Sequence, residues 1–248
     1  MKVPSSMIPL SFLAVALVVW EVLVDWLDTP AYLLPSPTAI IATIDSELFL
    51  HLAVTSGEAL AGFFIASACA FLAALAFVRS PLLERGLFPL AIAIKTTPLV
   101  AIAPLLVLWM GTGWWSKITA AGLICFFPVL VNTVKGLKAA DSEYFELFSS
   151  FGASQQQAFR KLRIPFCLPY FFSALKISSS LAIVGAIVGE FVGATQGLGY
   201  VIMVSSSHLD TDILFSAIFA AAALGILLFQ FIGWLEQRVI FWQTAETE

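Results

Sequence analysis

Residues 141–165 read DSEYFELFSSFGASQQQAFRKLRIP. This stretch decides the fold, because it is the one long polar interruption in a chain otherwise suited to lipid. Tyr144, Leu147, Phe148 and Phe151 recur at i, i+3, i+4 and i+7, which makes one apolar face of a helix. Glu143, Glu146, Ser149 and Ser150 occupy the other side. Gly152 stands where a helix-ending glycine belongs, and Ala153 follows it. Ser154 and Gln157 have capping-box spacing and restart a helix. Arg160, Lys161 and Arg163 mark the return to the membrane, and Pro165 and Pro169 are expected to separate this handle from the next span. The pattern alone leaves two readings: an interfacial anchor for the bundle, or a docking handle for a partner outside the membrane.

Outward from the handle the chain turns apolar. Of its 248 residues 60% are hydrophobic and only 11% charged, against about 25% charged in soluble domains. Such a chain cannot cover itself with polar groups, so lipid must be its solvent. A crossing needs about 20 mostly apolar residues. Residues 7–27, 53–78, 87–110, 115–134, 168–194 and 213–241 qualify, which gives an all-α bundle of six spans in a single domain, 1–248. The first of these lacks a small-x-small cleavage site and is expected to be a retained span rather than a signal peptide. With the N-terminus inside, one side collects Lys2, Arg79, Arg85, Lys135, Lys138, Arg160, Lys161, Arg163, Lys176 and Arg238, while the other holds only Lys117, beside Trp114 and Trp115 at an interface. This positive-inside bias places both termini and the handle in the cytoplasm.

Smaller features fill in the plan. Ser36 and Pro37 read as an N-cap and first position for an amphipathic helix over residues 38–50. Pro89, Pro98, Pro104 and Pro128 should kink the third and fourth spans. Gly185, Gly189 and Gly193 repeat at four-residue spacing, a pattern that allows close helix contact or lines a path at a dimer axis. Charges inside spans are costly and mark function or pairing. Glu190 is a candidate pathway or gate residue, or one half of a structural pair. Lys95 is a candidate pathway cation, or snorkels to the interface. Glu21 and Glu58 read as interfacial. Cys69, Cys125 and Cys167 read as small apolar fillers with no disulfide or metal spacing, and His51 and His208 as loop residues that suggest no metal site.

The handle resembles the EAA loop of ABC-transporter permeases of the binding-protein-dependent importer type. That signature runs Glu-Ala-Ala, three residues, Gly, nine residues, then Ile-x-Leu-Pro. Glu146 takes the Glu, Gly152 the Gly and Pro165 the Pro, while Leu162 and Ile164 fill the aliphatic places with identities exchanged. Leu147 and Phe148 stand in place of the two alanines and make the first helix bulkier. The likeness extends over nearly the whole chain. Leu34-Pro35-Ser36-Pro37, Thr97-Pro98-Leu99-Val100-Ala101, Trp109-Met110-Gly111-Thr112-Gly113, Phe126-Phe127-Pro128 and Gly189-Glu190-Phe191 are similar to the subgroup that imports nitrate, sulfonates, taurine and pyrimidine thiamine precursors.

The resemblance implies the type I importer (MetI-like) permease fold in the bacterial inner membrane, paired as a homodimer. It implies a non-catalytic subunit with no bound cofactor, since ATP and Mg belong to a separate cytoplasmic ATPase dimer that grips the handle. Consistently, the chain carries no phosphate loop of the form G-x-x-x-x-G-K-[ST]. It also implies an extracytoplasmic solute-binding protein docking on the outer loops, residues 196–212 above all, and no nucleic-acid partner. Two rivals remain. A passive scaffold or channel would have no use for the handle. An intramembrane enzyme would need paired aspartates, a Ser/His pair or ligand histidines within the spans. The solute stays open among a pyrimidine- or riboflavin-like heterocycle, nitrate, a sulfonate, taurine and bicarbonate, with Thr96-Thr97-Pro98 and Trp109–Gly113 leaning toward the heterocycle.

Overall fold

The computed structural model describes residues 7–243; Lys2 and both chain ends, and with them the expected cytoplasmic termini, lie outside the described residues. Every regular element among these is helical. Eleven α-helices follow in order: α1 (Met7–Trp26), α2 (Pro37–Ala42), α3 (Ser46–Arg79), α4 (Pro81–Lys95), α5 (Leu99–Met110), α6 (Trp114–Leu137), α7 (Ser142–Ser150), α8 (Gln155–Ala158), α9 (Ile164–Glu190), α10 (Leu198–His208) and α11 (Thr211–Val239). A π-helical turn, Phe159–Arg163, joins α8 to α9.

The core is a packed trio, with α6 between α3 and α9. Along α3 the buried residues Ala59, Phe63, Ala66, Ala70, Ala74 and Phe77 fall at three- and four-residue steps, and they share one cluster with Ala121, Cys125 and Val129 of α6 and Ala182 and Ala186 of α9. The alanines among them let the backbones approach closely, which is how helices associate when lipid removes the hydrophobic drive. The approach is tight at Gly185, where a Cβ would lie 2.7 Å from Ala121 Cα. α11 packs on α9 and on α10, which precedes it. α1 lies outside the trio, with Trp20 against Phe215 and Phe219 of α11 at ring separations of 5.8 and 6.1 Å. Phe12, Val15, Val18 and Val22 of α1, and Ile226 and Leu227 of α11, face outward, as lipid-bathed helices must.

Among the described residues, four helices are long and apolar enough to cross a bilayer by themselves: α3, α6, the continuous run Gln155–Glu190, and α11. The expected third span is not one straight helix. α4 and α5 meet at 100°, and counted together they make a fifth crossing. Of its three prolines, Pro89 and Pro104 sit inside helices, whereas the break falls at Pro98. Pro98 offers no amide hydrogen and pushes Thr97 out of the helical region, and the Thr96 hydroxyl turns back onto Ala93 O at 2.7 Å.

Three other boundaries differ from the sequence reading. The helix expected over residues 38–50 is two helices: α2 stops at Ala42, and Asp45 caps α3 by accepting a 2.9 Å hydrogen bond from Leu48 N. α3 therefore begins before residue 53 and, at 34 residues, measures about 51 Å, well beyond a hydrocarbon core of about 30 Å. Pro165 and Pro169 do not separate the handle from the fifth span. The helix runs through them, because the π turn, with Ile164 N donating to Phe159 O, opens the coil where the Pro165 ring would otherwise meet the carbonyl four residues back.

Candidate functional site

The handle begins where α6 ends. Its first helix, α7, ends in a doubly hydrogen-bonded turn: Ala153 N donates to Phe148 O (3.0 Å) and Gly152 N to Ser149 O (2.9 Å). Gly152 has φ +73°, a backbone angle that a side chain with Cβ adopts only under strain. Ser154 and Gln157 then form the expected reciprocal capping box at 3.3 and 2.8 Å. The two short helices are thus set at a fixed elbow by local hydrogen bonds.

Among the described residues, stacked contacts hold the elbow against the bundle. The Arg163 guanidinium sits 4.8 Å over the Phe145 ring, Arg79 sits 5.1 Å over Phe159, and Tyr144 meets Phe166 at 5.5 Å. Behind it lie two open grooves of about 570 and 620 Å³. Leu162 is buried at the re-entry. The apolar face read from the sequence is left without cover: Leu147 is 53% and Phe151 82% exposed, while Phe148 is half-buried. Glu146 and Ser154 are exposed, and Ala153 and Pro165 half-buried. Phe145, which carries the main contact to Arg163, was not singled out in the sequence, since it falls off the i, i+3, i+4, i+7 stripe.

At the ends of the helices opposite the handle lies a second polar constellation. Glu190 is 1% exposed and accepts from Thr55 Oγ1 at 2.6 Å and from Gly199 N. Thr55 Oγ1 accepts from Leu198 N at 2.7 Å, and His51 Nδ1 accepts from Gly197 N at 3.0 Å. Three successive amides at the start of α10 are thereby held by side chains of α3 and α9. Gly197 and Gly199 are required here, since a Cβ on either would collide with the Glu190 carboxyl. Glu58 and Lys117 lie alongside, within electrostatic reach of Glu190. Lys117 Nζ also donates to Thr112 O and Gly113 O, which ties in the turn between α5 and α6.

Several expectations change here. Glu58 (3% exposed) and Lys117 (2% exposed) are buried inside the protein rather than interfacial. His51 lies in α3 and His208 ends α10, so neither is a loop residue. Gly193 is not part of a helical stripe with Gly185 and Gly189: α9 ends at Glu190, and Gly193 turns with φ +74° against Thr112. Gly189 does face α6, close to Lys117 Cα. Cys125 and Cys167 are buried fillers, whereas Cys69 is exposed. His51, Thr55 and Glu58 recur at i, i+4 and i+7, a spacing that shares one helix face, but a span beginning at residue 53 leaves His51 outside it.

Lys95 ends α4 at the 100° break. It lines a cavity of about 310 Å³ together with Thr96, Thr97 and Pro98, closed on the far side by Ile124, Phe127 and Pro128 of α6 and Leu181 of α9.

Comparison with known proteins supplies the context for these sites. A family profile described as "Binding-protein-dependent transport system inner membrane component" matches residues 61–241. The chain is 38% identical, over 96% of both chains, to the formylaminopyrimidine transport permease protein ThiX of Halalkalibacterium halodurans. It is 33% identical to the riboflavin transport system permease protein RibX of Chloroflexus aurantiacus, covering 94% of this chain and 89% of that one. It is 30% identical to a putative aliphatic sulfonates transport permease protein, SsuC, of Bacillus subtilis, covering 94% and 86%. Among solved structures, the inward-facing MetNI methionine ABC transporter contains a chain of similar fold (TM-score 0.60, 19% identity), matched over 79% of this chain and 98% of that one.

Proposed function

Since the chain belongs to the family of binding-protein-dependent transport system inner membrane components, the permeases of ABC importers, we propose that it imports a small heterocycle of the pyrimidine type and is driven through its handle by a separate ATPase. The likeness to a formylaminopyrimidine permease over 96% of both chains is the observation that carries the solute class. Nitrate, sulfonates and taurine are the competing solutes.

The coupling assignment rests on an exposed apolar face held at a rigid elbow. Leu147 and Phe151 are exposed, and neither lines the two grooves behind the elbow, so the helix leaves an apolar face free of its own chain for a partner to cover. In this reading Leu147, Phe148 and Phe151 enter a groove on the ATPase, with Glu146 orienting the loop. ATP and Mg stay on that partner, and this chain is the non-catalytic subunit. Two copies pair, both termini are cytoplasmic, and a solute-binding protein delivers its cargo to the outer face near α10. A stiff elbow suits this task, because a slack loop would absorb the stroke of the motor.

The test is uptake of labelled formylaminopyrimidine by proteoliposomes holding the permease with its ATPase and binding protein. ATP-dependent uptake supports the reading. Uptake of taurine or nitrate instead would move the solute class, and failure of the permease to retain any ATPase in a pull-down would favour a passive scaffold.

A further inference from the structure

We propose that the break between α4 and α5 is the solute-contact site of the membrane path, with Lys95 and Thr97 holding the hydrogen-bond-accepting edge of the heterocycle and Phe127 covering its face. The inference rests on the reading above that this chain is the permease of a heterocycle importer, and names the residues that would meet the cargo.

Depth is the first observation. The cavity lies against Leu123–Pro128, at the middle of α6, and against Leu181, two thirds of the way along α9. Both helices cross the bilayer, so the break sits near the midplane. Irregular backbone at that depth is tolerated only where it is buried in protein or lines a wet cavity. Lys95 is the second. Its side chain is exposed, and it has no ion-pair partner among the described residues. An ammonium facing hydrocarbon would cost several kcal/mol, and the interface is about 15 Å away, half of a core about 30 Å thick. Snorkelling cannot bridge that distance, so the ammonium belongs to an aqueous path. The lining is the third. It sets one cation and two threonines beside an aromatic ring and aliphatic walls, the mix that binds compact polar rings: a few oriented donors and an apolar bed. A volume of about 310 Å³ is at the small end for ligand sites, which suits a single-ring solute.

Two measurements on the reconstituted importer test this. In the first, Lys95→Met and Thr97→Val are assayed for formylaminopyrimidine uptake and for ATPase stimulation by the loaded binding protein. Loss of a charge-assisted hydrogen bond should lower uptake by about tenfold in Lys95→Met, with ATPase stimulation retained. Wild-type uptake in both variants overturns the site while leaving the importer reading intact; absence of uptake by the unsubstituted complex would instead sink that reading. In the second, Thr97→Cys is placed in a background where Cys69, Cys125 and Cys167 are alanine, and its modification by a charged methanethiosulfonate is timed. The thiol should react from water and be shielded by formylaminopyrimidine. An unreactive thiol overturns the site, and shielding by taurine but not by the pyrimidine overturns the assigned solute class.

Discussion

Thr55 on α3 donates its hydroxyl proton to Glu190 on α9 across 2.6 Å and accepts the Leu198 amide hydrogen at 2.7 Å. One hydroxyl therefore joins two crossing helices to the start of α10, in a place closed to water. Replacing Thr55 with the near-isosteric valine leaves a carboxyl and an amide each short of a partner. Stranded buried polar groups cost about 1–3 kcal/mol each. Thr55→Val should therefore lower the thermal midpoint of the purified permease clearly, whereas Thr55→Ser, which keeps the hydroxyl, should stay close to wild type. Equal melting of the valine and serine variants would show that the hydroxyl fastens nothing.

The handle makes the opposite prediction. Phe151 and Leu147 touch little of their own chain, so truncating them should not unfold it. Exposed anchors that fill a partner's pocket commonly cost 2 kcal/mol or more when cut to alanine. Phe151→Ala should therefore melt like the parent when alone, yet retain its ATPase at least about thirtyfold more weakly. Titrating the ATPase onto the permease in nanodiscs measures this directly, and unchanged affinity for Phe151→Ala and Leu147→Ala together would remove the face from the interface.

Gly152 tests whether rigidity of the elbow matters apart from its surface. At φ +73° a residue with Cβ costs about 1–2 kcal/mol, and a β-branched one more. Because nothing lies within 4 Å of the added Cβ, the penalty is in the backbone and not in packing. Gly152→Val should insert normally, open the elbow, and let the ATPase turn over without matching uptake. Gly152→Asn, which tolerates the left-handed region, should transport nearly as well as wild type. Tight coupling in the valine variant would contradict the mechanical role.

How much of this was written in the sequence depends on what each element answers to. The handle is set by local chemistry: Gly152 ends one helix and Ser154 with Gln157 starts the next through contacts within a few residues, so spacing alone reveals it. The α4–α5 break was half visible, because a proline advertises a kink but not its size. Pro104 is absorbed into a helix, and only at Pro98 do adjoining threonines help the backbone leave the helical path. The buried cluster around Glu190 was the least legible. Glu58, Lys117 and Glu190 come from three distant segments, and an apolar-run reading treats each as a charge near a boundary; only the packing of α3, α6 and α9 shows that they share one buried place. Gly193 misled for a related reason: four-residue spacing is meaningful only while the helix lasts, and α9 ends three residues earlier.

The close contact of α9 with α6 separates packing glycines from incidental ones. A Cβ on Gly185 would sit 2.7 Å from Ala121 Cα and 3.0 Å from Ala120 O, both backbone atoms that cannot swing aside. A Cβ on Gly86 in α4 meets nothing within 4 Å. Gly185→Ala should therefore force the two spans apart and destabilise the protein by about 1–3 kcal/mol. Gly86→Ala should be neutral or stabilising by up to about 1 kcal/mol, since glycine within a helix is itself unfavourable. Thermal unfolding of the two alanine variants in the same detergent distinguishes them, and a Gly185→Ala protein that melts at or above the Gly86→Ala midpoint would mean that α9 and α6 do not meet at this glycine.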